Sequence, residues 1–547
     1  MTPEQNAWFG GRRKSDSGFG CGTDVRRAIA LVWVVAAVWV LHIAANSAAA
    51  VQRPNLLVIL TDDQSHRTVS AYEEAYPWVR TPQLDRLAAK GVRFRSAYMG
   101  TWCMPSRLTF LTGRLPHAVK SYRMTGKYPG VEYDPEQARF WPRELRRSGY
   151  STAQIGKWHT GEDTGYGREW DYQASWSRPA PKVLGETTDS YFWDQEISFN
   201  GAPAREVKGY ASDNYTQWGV EYIQGRHRDM TKPWFLWLCY TAPHHPYTPA
   251  ARHLDDYTSA QVEPPADIYP PRPGKPAYMQ AIRSWVPGSD GQPRLVKPEG
   301  PSLRDSVIRY HQTVSAVDEG VGRLLAALEE TGQLKNTLVV FTSDQGYAWG
   351  QHGFDLKVAP YDANLRAPLI LSQPGTLPEG AVVETPAGGA DLVATLLAAA
   401  GVSPPWSMHG RDLGVLLHNA DAEPDRPVLI SYTGWTFGED TASIPTNGRD
   451  THPGGVPWYA AIRQGRLKYI RSFVAHEIEE LYDIQADPEE LRNLALEAAY
   501  TDTVRRLRET TVAELRRTEA PFWDRLPPVG MRVELAPKSG RPHPGRR

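Results

Sequence analysis

Two short apolar runs along the chain end in clusters of acidic and amide side chains. Residues 55–60 lead into Thr61-Asp62-Asp63, and residues 337–342 lead into Ser343-Asp344-Gln345. A continuous apolar run of this length is typical of a strand buried on both faces of a parallel sheet. Ligands of such sheets bind beyond the carboxyl ends of the strands. The pattern therefore predicts two buried strands that deliver polar groups to a ligand site.

Segments with helical character separate and flank these two runs. Helices are predicted over residues 82–90, 140–148 and 302–331, and in the last of these the apolar residues recur at three- and four-residue spacing. Strands that alternate with helices predict a largely parallel sheet that helices cover on both faces. The expected fold class is therefore α/β.

The pattern changes to shorter elements in the last part of the chain. These include residues 459–470, and a charged helix is predicted over residues 501–518. We therefore expect a large domain over residues 51–401 and a smaller C-terminal subdomain over residues 402–526. The last residues, 527–547, are rich in Pro, Gly and Arg and are predicted to be a disordered tail.

Two stretches resemble insertions into the predicted α/β fold. Residues 160–209 carry many aromatic residues among turn formers, and residues 262–301 are dense in proline. Long loops of this kind are more often functional rims or lids than decoration. The aromatic side chains could stack on sugar or aryl rings of a ligand, or they could pack the loops onto the protein.

The first fifty residues are not expected to belong to the fold. A basic lead that includes Arg26-Arg27 precedes an apolar run over residues 28–45, and the small residues Ser47-Ala48-Ala49-Ala50 follow. This order is typical of an export signal cleaved near Ala50, so we expect a periplasmic or secreted protein. The alternative is an uncleaved membrane anchor, because the apolar run reaches the lower limit of a membrane-spanning helix. The arginine pair also matches a twin-arginine signal.

Charge and cysteine content narrow the function classes. The 61 Lys and Arg residues and 62 Asp and Glu residues leave a net charge of −1, which argues against a nucleic-acid partner. Of the three cysteines, Cys21 lies in the predicted export signal, and Cys103 and Cys239 remain. Two cysteines cannot build a disulfide framework, so the stability of the protein must come from its core.

The polar clusters after the two predicted strands have the composition of a metal site. Asp62 and Asp63 are adjacent carboxylates whose repulsion is costly unless a cation lies between them. Asp344 and Gln345 are their expected partners. Three carboxylates and an amide oxygen form a hard donor set that suits Ca²⁺ or Mg²⁺ rather than zinc or copper, and we expect Ca²⁺ ahead of Mg²⁺. Each residue could alternatively cap or turn the chain after its strand.

One short motif carries the most specific chemical signal. It runs Cys103-Met104-Pro105-Ser106-Arg107 and is followed by Leu111-Thr112-Gly113-Arg114. The alternative is a buried structural cysteine in a turn before a helix. The motif resembles the signature of the sulfatases, whose cysteine a formylglycine-generating enzyme converts to 3-oxoalanine (formylglycine). The resemblance implies that Cys103 becomes the nucleophile beside the metal and is counted among its ligands.

A second motif matches the same family. In Gly156-Lys157-Trp158-His159, the resemblance implies that Lys157 contacts sulfate oxygens and that His159 contacts the formylglycine hydrate. It also implies that Arg107 lies near the metal and the modified residue and helps to hold the nucleophile and its charge.

Two further stretches complete the resemblance. Ala242-Pro243-His244-His245-Pro246 resembles the segment whose first histidine faces the leaving oxygen, which assigns this role to His244. Lys357, downstream of Gly350-Gln351-His352-Gly353, matches the lysine that helps His244 with substrate and leaving group. Gln345 departs from the family, in which asparagine or histidine is common at that position.

The resemblance also implies a mechanism. One hydroxyl of the hydrated aldehyde at position 103 attacks sulfur, the alcohol leaves, and the second hydroxyl then expels sulfate and restores the aldehyde. A sulfate ester of ordinary serine or cysteine has no neighbouring hydroxyl and must await slow attack by water. Replacing Cys103 with Ser should therefore allow at most one turnover.

The similarity extends from about residue 54 to about residue 496. It implies an alkaline-phosphatase-like large domain with a mixed, largely parallel sheet, and a C-terminal α+β subdomain with an antiparallel sheet. It implies hydrolysis of a sulfate ester of a small molecule or glycan, and the aromatic loops favour a carbohydrate; the oligomeric state stays open. Two alternatives remain: a phosphonate monoester or phosphodiester hydrolase with the same nucleophile, and a non-catalytic binder of sulfated glycans.

Overall fold

The computed structural model describes residues 53–124, 131–177, 191–296, 300–445 and 454–530. The export signal predicted over residues 1–50, and residues 531–547 of the predicted tail, lie outside these ranges. Within them, no helix combines the length and the apolar character that crossing a membrane requires.

Strands and helices occur throughout the described ranges. The first strands are β1 (Asn55–Thr61), β2 (Val92–Tyr98), β3 (Arg123–Met124), β4 (Val131–Glu132), β5 (Ser151–Lys157), β6 (Tyr172–Trp176), β7 (Trp193–Phe199), β8 (Arg205–Tyr210), β9 (Trp234–Cys239), β10 (Trp285–Pro287) and β11 (Pro293–Leu295). They are followed by β12 (Thr337–Ser343), β13 (Ala348–Trp349), β14 (Asp355–Leu356), β15 (Ala367–Ser372), β16 (Ala381–Val383), β17 (Ala387–Gly388), β18 (Val428–Tyr432), β19 (Tyr459–Gln464), β20 (Leu467–Ser472) and β21 (Glu480–Asp483). The α-helices are α1 (Pro82–Ala89), α2 (Cys103–Thr112), α3 (Pro142–Arg147), α4 (Ala211–Ile223), α5 (Leu303–Glu330), α6 (Asp362–Leu365), α7 (Gly389–Ala400), α8 (Gly414–His418) and α9 (Thr501–Arg517).

A large mixed sheet forms the centre of the structure. Its strands follow the order β16-β2-β15-β12-β1-β9-β5-β6-β7-β8, with β17 also beside β2. The central strands β12, β1, β9, β5 and β6 are all parallel, whereas β15 and β7 join antiparallel at the two sides. The predicted parallel pairing is therefore confirmed for the centre of the sheet, where the strands read as continuous apolar runs.

The side chains of β1 alternate between two cores, because successive residues of a strand point to opposite faces. Leu56 and Val58 pack into the core that contains α2 and α7. Leu57 and Ile59 pack into the core formed with α1, α4 and α5. Burying one such side chain contributes roughly 1.5–3 kcal/mol relative to leaving it exposed. Helices thus cover both faces of the sheet, as the sequence pattern predicts.

The C-terminal part contains a second sheet. Strands β18 to β21 pair antiparallel in chain order, and α9 covers one face with Leu507 against Ile462 and Leu481. The predicted helix over residues 501–518 is confirmed as α9. The domain boundary near residue 402 stays a prediction.

The two predicted insertions contribute strands of their own. Residues 160–209 contain β6, β7 and all but the last residue of β8, and these strands extend the large sheet at one side. Residues 262–301 contain the small β10–β11 hairpin. Both stretches therefore contain regular structure within their described residues.

Candidate active site

The predicted site residues meet because neighbouring strands end side by side. Thr61 at the end of β1 is level with Ser343 at the end of β12, and Leu60 is level with Cys239 at the end of β9. Gly156, next to the end of β5, is level with the same cysteine. The segments after these strands carry the predicted metal and sulfate ligands. The register of the sheet therefore brings together motifs that are far apart in sequence.

Cys103 enters this site as the first residue of α2. The thiol is 2% exposed, and its sulfur lies 3.1 Å from Asp62 Oδ1. The preceding loop passes so close to the helix that a Cβ at Gly100 would lie 2.0 Å from Ser106 Oγ, which explains the glycine. Burial, reinforced by Asp62 and Asp63, raises the pKa of the Cys103 thiol. The unmodified thiol is therefore protonated at neutral pH and is a weak nucleophile.

Two buried lysines flank Cys103. Lys357 Nζ lies 3.0 Å from the sulfur and donates to both carboxylate oxygens of Asp63, at 2.8 and 2.6 Å. Lys157 Nζ donates to Asp62 Oδ2 and lies 3.0 Å from the hydroxyl oxygen of Tyr191. The two ammonium groups thus approach the nucleophile position from Asp63 and from Asp62, where they can neutralise an anionic substrate.

Arg107 joins the strand ends beneath the site. Its guanidinium is fully buried and lies 3.2 and 3.1 Å from Asp344 Oδ2, while Nη1 donates to the carbonyl of Lys157 at 2.9 Å. Asp344 Oδ1 in turn accepts from the backbone N–H of Asp63. Arg107 therefore holds Asp344 and the end of β5 in register, as part of the predicted site.

The predicted histidines face the same cavity. His244 Nε2 lies 3.6 Å from Asp63 Oδ2, and its ring is stacked on Tyr191 with centroids 4.5 Å apart. His159 lines the cavity in a left-handed backbone conformation with φ 59°. The structure thus places both histidines beside Cys103.

The acidic cluster has the charge and donor chemistry of a divalent cation site. Asp62, Asp63 and Asp344 are at most 1% exposed. Burial raises the pKa of Asp63, and burial together with Asp62 raises the pKa of Asp344 to about 7. Burial alone would also raise the pKa of Asp62, but the Lys157 ammonium holds the pKa of that carboxyl well below its usual range. A cation among these oxygens would relieve the repulsion, so the donor set fits a hard metal ion.

The side-chain amide of Gln345 points its nitrogen, rather than its oxygen, at the acidic cluster. Its Nε2 faces Asp63 Oδ1 and lies 3.6 Å from the sulfur of Cys103, while its Oε1 accepts from Ser106 Oγ at 3.1 Å. Rotating the terminal amide by half a turn exchanges nitrogen and oxygen and would direct the oxygen at the acidic cluster. Ligation by Gln345 through that oxygen stays a prediction.

A second, overlapping set of donors is also preassembled. One ligand atom each from Asp62, Asp63, Cys103 and His244 lies within 4.8 Å of the others. This set shares Asp62, Asp63 and Cys103 with the predicted one but has His244 in place of Asp344 and Gln345. The two sets make different predictions for which substitutions weaken metal binding.

The cavity above Cys103 has a volume of about 570 Å³. Asp63, His159, His244 and Lys357 contribute polar groups to its lining. The remaining wall is largely aromatic and apolar, with Trp102, Trp435, Tyr347, Leu295, Val296 and Leu356. Trp435 is 36% exposed and meets Trp102 edge to face with ring centroids 4.8 Å apart. The polar residues can hold a charged group while the aromatic wall contacts the rest of a ligand.

Sequence analysis did not predict two residues of this site. Tyr191 was one of many aromatics in an insertion, yet it touches both Lys157 and His244. Trp435 belongs to no recognised motif. No spacing signal identifies either residue, because each reaches the site through tertiary packing.

Comparison with known proteins agrees with these observations. A family model described as Sulfatase matches residues 54–402, more than half of the chain, and a model described as N-sulphoglucosamine sulphohydrolase, C-terminal, matches residues 350–518. The N-acetylglucosamine-6-O-sulfatase of Bacteroides thetaiotaomicron is 27% identical over 87% of this chain and 88% of its own. The choline-sulfatase of Rhizobium meliloti is 27% identical over 86% and 87%.

Solved structures show the same fold. A protein in complex with its substrate D-glucosamine-2-N,6-O-disulfate has a TM-score of 0.69 at 24% identity, over 86% of this chain and 98% of its own. The phosphonate monoester hydrolase of Agrobacterium radiobacter has a TM-score of 0.62 at 21% identity, over 85% and 96%. The expected alkaline-phosphatase-like fold is confirmed. With the family model covering residues 54–402 and the motif residues gathered around Cys103, this protein belongs to the sulfatase family of enzymes.

Proposed function

We propose that the protein hydrolyses sulfate monoesters with formylglycine formed from Cys103 and with Ca²⁺ held by Asp62, Asp63, Asp344, Gln345 and the modified residue at position 103. The observation that carries the proposal is the arrangement around Cys103, where Lys357 Nζ lies 3.0 Å from sulfur and Asp62 Oδ1 lies 3.1 Å from it. A nucleophile at this position lies between a carboxylate of the proposed metal site and an ammonium group, which can hold a sulfate oxygen.

Formylglycine and the metal ion would each supply part of the chemistry. Hydrated formylglycine offers one hydroxyl for attack on sulfur and a second to expel the sulfate, and the cation adds positive charge beside the sulfate oxygens. Lys157 and Lys357 extend that positive charge on two sides of position 103. Sulfate transfer requires such charge around the transferring oxygens.

We assign the role of proton donor to the leaving group to His244. Its ring lines the cavity together with Cys103 and Lys357. As the bond between sulfur and the ester oxygen breaks, the imidazolium of His244 would give its proton to that oxygen, and an alcohol would leave. This transfer matters most for alkoxide leaving groups, which are poor without protonation.

The substrate class we propose is a sulfated carbohydrate. Among the aromatic residues that line the cavity, Trp435 is 36% exposed, and its ring offers a surface on which a sugar can pack. Asp355, in the same lining, offers a carboxylate for hydroxyl groups. The relatives named for N-acetylglucosamine-6-O-sulfate and for ulvan support the same class.

The proposal is tested with protein made alongside a formylglycine-generating enzyme. The mass of the tryptic peptide of residues 96–107 reports conversion of Cys103, and turnover is then measured with an aryl sulfate, an aryl phosphate diester and a panel of sulfated monosaccharides. We expect aldehyde at position 103 and preference for sulfate esters. Faster turnover of the phosphate diester would favour a phosphorus substrate, and binding without turnover by modified protein would favour a glycan binder.

We also propose that the protein is exported to the periplasm or secreted. The support is the order of basic, apolar and small residues before position 51. Amino-terminal sequencing of the protein from its natural host tests this. Cleavage near Ala50 is expected, whereas an intact amino terminus in the membrane fraction would favour the anchor.

A further inference from the structure

Tyr191 lies between two of the predicted catalytic side chains. Its hydroxyl oxygen accepts a 3.0 Å hydrogen bond from Lys157 Nζ. Its ring stacks on the imidazole of His244, with centroids 4.5 Å apart and planes inclined by 14°. One side chain therefore contacts a predicted sulfate ligand and the predicted proton donor to the leaving group.

Neighbouring side chains hold Tyr191 in place. The side chain is 7% exposed, and its ring meets Trp176 edge to face at 4.7 Å. Its carbonyl accepts a 2.8 Å hydrogen bond from Gln195 Nε2, and Gln195 also bonds the hydroxyl of Tyr215 in α4. The insertion that carries Tyr191 is thus anchored to a helix of the main fold.

These contacts add to the restraints on Lys157, which also pairs with Asp62, and on His244, whose Nδ1 also lies against the carbonyl oxygen of His245. A lysine has four rotatable bonds, and ordering it costs conformational entropy. Tyr191 and Asp62 hold the Lys157 ammonium from two directions. The stacked ring limits rotation of the His244 imidazole, so that its Nε2 stays on the side of Asp63. Such prior ordering lowers the barrier of a reaction that needs both groups in place.

We propose that Tyr191 is a positioning residue that holds Lys157 and His244 in the geometry required for sulfate transfer. The inference rests on the proposed function and adds a residue that the family motifs do not contain. The two parts of the Tyr191 side chain have separate functions. The hydroxyl positions Lys157 for the sulfate oxygens, and the ring positions His244 for the leaving group.

Two substitutions separate these functions. Tyr191→Phe removes the hydroxyl and keeps the stacked ring, and Tyr191→Leu removes both. Tyr172→Phe is the matched control, because it removes a hydroxyl from a tyrosine of the same insertion whose ring packs against His227 and Tyr222. Circular dichroism and thermal unfolding of all three variants report whether each one folds.

The readout is kcat/KM for a series of aryl sulfates whose phenols differ in pKa. Tyr191→Phe should lower kcat/KM about tenfold for every member of the series. The lost hydrogen bond to the Lys157 ammonium weakens its contact with the sulfate group, which all the substrates share. Tyr191→Leu should add a loss that grows with the pKa of the phenol, since protonation by His244 matters only for poor leaving groups. Tyr172→Phe should match the wild type.

The outcomes separate this inference from the proposed function. Absence of turnover by wild-type enzyme with formylglycine in place would overturn the proposed function itself. An active wild type, with Tyr191→Phe as active as Tyr172→Phe, would overturn the role of the hydroxyl. An unchanged dependence on leaving-group pKa in folded Tyr191→Leu would overturn the role of the ring.

Discussion

The hydroxyl of Tyr459 in the C-terminal sheet donates a 2.8 Å hydrogen bond to the carbonyl of Val358, the residue next to Lys357. Both side chains are buried. Val358 adopts φ 75°, a conformation that is strained for a β-branched residue and persists only where surrounding structure holds it. The N–H of Val358 is held as well, by the carbonyl of Thr101. The C-terminal sheet therefore helps to present Lys357 to Cys103.

Tyr459→Phe should weaken this support. Loss of a buried hydrogen bond costs about 1 kcal/mol of unfolding free energy, and relaxation at Val358 should move Lys357 and lower kcat several-fold. Urea unfolding and steady-state kinetics measure the two effects. The control is Tyr222→Phe, which removes a buried hydroxyl that has no hydrogen-bond partner among the described residues. Equal kcat in both variants would argue against the link to Lys357.

Cys103→Ser should convert the enzyme to a single-turnover catalyst. A serine hydroxyl at this position can take sulfate from an ester, but no second hydroxyl is present to release it. The expected result is a burst of one product molecule per enzyme and a stable mass increase of one sulfate group in the intact protein. Protein made without the formylglycine-generating enzyme is the control and should gain no sulfate. Continued turnover by the serine variant would contradict the mechanism.

Metal removal should abolish activity and lower the unfolding temperature. Without a cation, the buried carboxylates of Asp62, Asp63 and Asp344 lose a source of compensating charge. Activity should return with Ca²⁺ more fully than with Mg²⁺. Gln345→Ala should weaken Ca²⁺ binding by more than about tenfold, whereas His244→Ala should leave it nearly unchanged. The reverse order, measured by calorimetric titration, would support the set that contains His244.

Trp435→Ala should weaken binding of a carbohydrate sulfate. Loss of an aromatic contact of about 1 kcal/mol should raise KM roughly five- to tenfold while kcat changes little, because Trp435 belongs to the apolar lining and has no predicted catalytic role. Steady-state kinetics on a sulfated monosaccharide measures this. Val415→Ala, which trims exposed apolar surface on α8, is the control. An unchanged KM would remove Trp435 from substrate recognition.

Acid should destabilise the protein through buried histidines. Burial lowers the pKa of His117 to about 4, and burial together with His117 lowers the pKa of His409 to about 2. The unfolded chain binds protons near the ordinary value of 6.5, so stability is complete above that pH and is lost as pH falls toward 4. His117 alone should cost about 2 kcal/mol between about pH 7 and about pH 5.

Urea unfolding at the two pH values checks this expectation. His117→Gln can retain a hydrogen bond to Ser431 or Thr518 but carries no titrating group, so the loss of stability on acidification should be smaller in that variant. The exposed His418→Gln is the control and should behave as the wild type. An identical pH dependence in all three proteins would show that His117 titrates normally.

Local pattern predicted much of the secondary structure. The strands expected over residues 55–60 and 337–342 each extend one residue further in the structure. The helix expected over residues 302–331 spans Leu303–Glu330, and Ser302 caps it by accepting from the N–H of Asp305. These elements were predictable because apolar runs, periodicity and caps act between neighbours in the chain. The very short strands β13 and β14 had no such signal, since they depend on pairing with each other.

The sequence by itself determined the chemistry of the site. Its motifs contain the cysteine, lysines and histidines that the resemblance to the sulfatases implied, and the position of the acidic and amide residues after two buried strands predicted that those residues meet. Only the tertiary structure decided that Tyr191 spans Lys157 and His244, that Tyr459 bonds Val358, the neighbour of Lys357, across 101 residues, and that Trp435 lines the cavity. Motifs record which groups react, whereas contacts between distant segments depend on how whole sheets and insertions pack, and no local pattern encodes that packing.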